Sequence, residues 1–137
     1  MKVFVDEPGR DEVIAALADA TVSAISRIGF VECRAALARA RRERRIRPRD
    51  EARAVRALDA AWDQLAVVGL DDALAREAAR LAGVHPLRAA DAIHLASAGV
   101  LASGDARAVR FACWDSRLSD AARELGFTVI PDEDPAS

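Results

Sequence analysis

The chain has 137 residues, 52% of them apolar, enough for one domain with a real core. Only 4% are aromatic, so that core must be built from Ala, Leu, Val and Ile. The net charge is −2, and there is no signal peptide, internal repeat or apolar run of about 20 residues, which excludes a membrane span.

Residues 2–5, "KVFV", form a short apolar run that "DEPG" breaks. "RDEVIAALADA" carries Val13, Ile14 and Leu17 at helical spacing, with Asp11 and Glu12 in the first turn. "TVSAIS", 21–26, is partly β-branched and reads as a strand. From Ser26 the pattern turns helical through Ile28, Val31, Ala35 and Leu37. Pro48 stops that helix or begins the next, which covers residues 50–63. "LAVVGL", 65–70, is a buried-strand candidate. "DDALAREAARLAGV" starts on an Asp cap and is expected to stop at Gly83. Pro86 is expected to open the next helix, which holds "LRAADAIHLASA" and ends near Gly104. "VRFACW", 109–114, reads as a strand, "SRLSDAARELGF" as a helix ended by Gly126, and "FTVI" as a last strand before Pro131. Strands alternating with helices predict an α/β fold with a mostly parallel central sheet flanked by helices. The predicted domain spans residues 1–130, and 131–137 form an acidic tail.

Charge is unevenly spread. "RARRERRIRPR", 39–49, is densely basic. Such a block touches nucleic acid or an acidic partner, or it is a solvated helix end whose cations complement the dipole. Cys33 and Cys113 lack metal-ligand spacing and read as buried free thiols of a reducing cytoplasm.

Three acids stand out because ligands of parallel sheets gather beyond the carboxyl ends of the strands. Asp115 follows "VRFACW", Glu32 lies on the helix after "TVSAIS", and Asp91 lies about one and a half turns into the helix after Pro86. Each has a plainer reading. Glu32 suits a helix surface, and Asp115 suits an N-cap. Asp91 resists one best, because its neighbours are so apolar. Acids gathered at one point need compensation. Arginines such as Arg27, Arg34, Arg88 and Arg117 supply some, and Mg²⁺ or Mn²⁺ supplies more by taking several oxygens at once. His94, three residues after Asp91, suits a structural role, and His85 a loop.

The segments "FVDEPGRDEV", "TVSAISRIGFVECRAALARA", "LRAADAIHLASA" and "FACWDSRLSDAARELGFTVI" resemble, in order, the PIN-domain ribonucleases of the VapC toxin type. The resemblance implies a single PIN-like α/β domain that cuts RNA with Mg²⁺ or Mn²⁺. It implies that Glu32, Asp91 and Asp115 are the catalytic and metal-binding acids. Arg88 and Arg117 then contact RNA phosphates. A cognate antitoxin and homodimerisation are also implied, through the helical pair around residues 27–63.

One departure is expected to matter. Relatives of this type begin with a strand ending in an Asp, whereas here Met1 and Lys2 already match the helix that follows it. The first strand and its acid are therefore expected to be absent, through either a start codon assigned too late or a true truncation. The agreement among the remaining signals favours the former. The alternative function is a catalytically impaired PIN-like module that binds an antitoxin or dimerises.

Overall fold

Proline, glycine and aspartate set most element boundaries in this protein, as its computed structural model shows for residues 8–132. The "KVFV" run and most of the acidic tail lie outside the described residues. The chain divides into two compact units that meet at Val67–Val68.

In the first unit, α1 (Arg10–Asp19) follows Gly9, whose φ of 88° suits glycine. Strand β1 (Ala24–Ser26) precedes α2 (Ile28–Arg42), and α3 (Pro48–Trp62) leads to β2 (Ala66–Val68). Of the two roles open to Pro48, it begins a helix, where its missing N–H costs nothing. Helices α2 and α3 pack as a hairpin, with Leu37, Ala40, Ala54 and Leu58 buried. The hairpin is braced along its length. Phe30 meets Trp62 edge-to-face at 5.0 Å, Arg34 lies 3.9 Å from Asp59, and Arg41 lies 2.6 Å from Glu51. Strands β1 and β2 pair beside it, with the Ala66 N–H donating to the Ser23 carbonyl at 2.9 Å.

In the second unit, α4 (Asp72–Val84) and α5 (Ala89–Ala102) precede β3 (Arg110–Ala112), α6 (Ser116–Glu124) and β4 (Thr128–Ile130). Strands β3 and β4 are parallel, and Phe111 faces Val129 in the register. The crossover through α6 is long enough for parallel pairing. The core gathers Leu74, Ala78 and Leu81 of α4, Leu95 and Ala96 of α5, and Leu118, Ala121 and Ala122 of α6 over Phe127 and Val129. Alanines at these contacts supply the close helix approach that scarce aromatics would prevent.

Two sequence expectations change. Helix α4 runs through Gly83 and stops before Pro86, because the pre-proline residue His85 is pushed to extended backbone (φ −113°, ψ 150°). Pro86 does not open α5; its first helical residue is Ala89, after an extended Arg88. The described strands form two two-stranded ladders, β1–β2 and β3–β4. Each strand has only three residues, so each ladder relies on the helices packed against it.

The Asp71 cap is as expected: its Oδ1 accepts from the Leu74 N–H at 2.8 Å. Asp71→Ala is expected to lower stability by about 1 kcal/mol, read as a lower denaturation midpoint with unchanged denaturant slope.

Candidate active site

Glu32 lies one turn into α2, exposed to solvent, in the first unit. Just upstream, Ser26 closes β1. Its hydroxyl is buried and is the one fully buried side-chain polar atom among the described residues with no hydrogen-bond partner. An unmet buried hydroxyl costs about 1–3 kcal/mol, so it marks the carboxyl end of β1 as a place where a water or ligand oxygen is wanted. Nothing in the local pattern singles out Ser26, because a serine that ends a strand usually bonds to nearby backbone.

Asp91 and Asp115 belong to the second unit, and each sits in the N-terminal region of its helix. Because α5 starts at Ala89, Asp91 falls in the first helical turn and not one and a half turns in. The unpaired N–H groups there favour an anion, which explains how the fold tolerates it. The carboxylate is half-buried and has no hydrogen bond or ion pair to any described residue. Asp115 is the N-cap of α6, and its Oδ1 accepts from the Leu118 N–H at 3.0 Å. Its plainer reading as a cap is thus realised, yet the bond uses one oxygen and leaves Oδ2 available.

Arg88 and Arg117 are exposed at the same helix ends, Arg88 as N-cap of α5 and Arg117 in the first turn of α6. Cations at a helix N-terminus gain nothing from the dipole. Neither guanidinium has a carboxylate partner among the described residues. His94 is partly buried on α5. His85 caps the end of α4, with Nδ1 3.3 Å from Glu124 Oε2.

Both cysteines are free, but only Cys113 is buried; Cys33 is half-buried between exposed Glu32 and Arg34. The Cys113 thiol lies 3.0 Å from the Ser119 hydroxyl. Burial pushes it above the ordinary thiol range, and the Ser119 hydrogen bond only partly offsets that. Cys113 is therefore an inert core residue despite lying two positions from Asp115.

Among the described residues, no three His, Cys, Asp or Glu side chains form a group of metal-binding size. The donors suit a hard divalent cation in their chemistry: a carboxylate without a partner among the described residues at Asp91, and one at Asp115 with a single described hydrogen bond.

The PIN domain profile matches residues 1–124. The chain is 39% identical over 132 residues to Ribonuclease VapC45 of Mycobacterium tuberculosis strain CDC 1551 / Oshkosh, covering 96% of this chain and 89% of that protein. The same identity and coverage hold for Ribonuclease VapC49 of Mycobacterium tuberculosis strain H37Rv. Identity of that extent, over both units, carries a conclusion about kinship: the chain belongs to the PIN-domain family, within its VapC group.

Proposed function

We propose that this protein is a metal-dependent endoribonuclease toxin that hydrolyses RNA phosphodiester bonds and is restrained by a cognate antitoxin protein. The single observation that carries the reading is Asp91, a half-buried carboxylate in an apolar helix with no described protein partner. A partnerless acid in such a setting fits a site that takes its counter-charge from outside the chain. That both relatives are named ribonucleases supports the same reading.

Glu32, Asp91 and Asp115 would hold Mg²⁺ or Mn²⁺. Such an ion, when bound, supplies a water of lowered pKa and neutralises charge at the scissile phosphate. The chain does the positioning. The Leu118 N–H fixes Asp115 through Oδ1, so its second oxygen is presented without a search through rotamers. The first turn of α5 sets its unpaired N–H groups beside the Asp91 carboxylate. Arg88 and Arg117 contact RNA phosphates and set the strand's position, not its sequence. The PIN-like domain spans residues 1–130, ahead of the acidic tail. The α2–α3 pair, residues 27–63, is the surface for the antitoxin and for a second copy of the chain; Val31 on it is 68% exposed. The free thiols fit a cytoplasmic protein. None of the described helices is long and apolar enough to cross a membrane.

Two variants of one residue test the site. Asn caps helices as well as Asp does, so Asp115→Asn is expected to keep stability within about 0.5 kcal/mol while RNA cleavage falls about 100-fold. Asp115→Ala should lose cleavage and about 1 kcal/mol of stability as well. Wild-type cleavage by Asp115→Asn would reduce this residue to a cap and remove it from the site.

A further inference from the structure

The turn between α2 and α3 carries seven arginines and one glutamate within residues 39–49, and all seven arginines are exposed. Two are engaged: Arg41 with Glu51 at 2.6 Å, and Arg45 with Glu43 at 2.9 Å. The guanidinium groups of Arg39, Arg42, Arg44, Arg47 and Arg49 have no partner among the described residues.

Helix-end electrostatics explain only part of this cluster. Arg39, Arg41 and Arg42 occupy the last turn of α2, where cations complement the dipole. Arg47 and Arg49 sit at the opposite kind of end, as N-cap and second residue of α3, where a cation is disfavoured. Arg44 closes α2 with φ at 59°, a left-handed conformation that glycine adopts at lower cost. Three arginines therefore stand where neither the dipole nor the backbone favours them, and folding gives no reason for their positions.

We propose that this turn, as distinct from the helix faces of the α2–α3 pair that would take the antitoxin and a second copy, is a clamp for the phosphate backbone of single-stranded RNA, separate from the acids Glu32, Asp91 and Asp115, an inference that rests on the protein acting on RNA. The choice of polyanion follows from what the patch lacks. A protein interface needs a buried apolar or aromatic centre. Among residues 39–49 the only large apolar side chain is Ile46, and it is partly buried in its own unit. A row of forked guanidinium groups with no apolar centre matches evenly spaced phosphates, which arginine binds bidentately.

The test measures binding of a fluorescent oligouridine to the intact chain across a potassium chloride series, with chelator present so that the RNA stays whole. R44Q/R47Q/R49Q is compared with R76Q/R80Q/R123Q, which removes the same charge from arginines that are already ion-paired. The first variant should bind about tenfold more weakly near 100 mM salt, and its salt slope should flatten by about 2, near 0.7 for each lost phosphate contact. The second should bind as the wild type does. Unchanged affinity and slope in the first variant, or equal loss in both, overturns the clamp. A poly-glutamate peptide run in parallel covers the other polyanion: if the first variant loses the peptide but keeps the RNA, the turn serves an acidic protein and the proposal fails. Wild type that binds no RNA defeats both this clamp and the ribonuclease reading. RNA binding that is indifferent to the three arginines defeats the clamp alone.

Discussion

Asp91→Asn is expected to reduce RNA cleavage about 100-fold or more and to leave the fold intact. The carboxylate makes no hydrogen bond or ion pair with the described residues, so its removal breaks none there. What the fold loses is the favourable interaction of an anion with the first turn of α5, about 0.3–1 kcal/mol. The asparagine keeps the shape and half-burial of the side chain. Catalysis loses far more, because an uncharged amide is a poor ligand for a hard divalent ion and stabilises no phosphoryl charge. The two readouts, cleavage rate and denaturation midpoint, therefore separate. A variant that cleaves normally would show that Asp91 only serves the helix dipole. A variant that unfolds would show a structural partner that the described contacts do not contain.

The largest effect on stability belongs to Leu95→Ala. Leu95 is fully buried on α5, in the cluster that also takes residues from α4, α6 and β4. Truncation removes apolar burial and leaves a cavity that the surrounding helices fill only partly, which costs about 2–5 kcal/mol. For a small domain of about 5–15 kcal/mol total stability, that is a large share. Urea unfolding should show a much lower midpoint with an unchanged slope. A loss below about 1 kcal/mol would contradict the placement of Leu95 at the centre of the second unit.

The helices were legible because their ends are punctuated by residues with one dominant physical effect. Pro48 begins α3, Asp71 and Asp115 cap α4 and α6, and Gly126, with φ at 89°, ends α6 as expected. Where two such signals compete, the pattern misleads. Gly83 looks like a stop, yet the constraint that Pro86 places on His85 ends the helix. The same proline made α5 seem to start early, which put Asp91 deeper in the helix than it is. That error hid the simplest reason the acid is tolerated, its place in the first turn.

Glu32, Asp91 and Asp115 stand out in the sequence by position and by resemblance, and local pattern says nothing of the long-range packing that a shared site requires. The unmet hydroxyl of Ser26 could not be anticipated at all, since only the packed surroundings of β1 show that it has no partner. The strands were likewise legible, but not their pairing partners. Three-residue strands carry too little pattern to specify which neighbour each will choose.

The central claim is that acids on α2, on α5 and ahead of α6 make this chain a metal-dependent ribonuclease. The most direct test is cleavage of a single-stranded RNA by the purified chain with Mg²⁺ or Mn²⁺, alongside the same reaction in excess chelator. The account predicts internal cleavage with either metal and intact RNA in the chelator. Intact RNA under every condition would contradict it and leave an antitoxin-binding or dimerising module. Cleavage that persists in the chelator would contradict the role given to the acids.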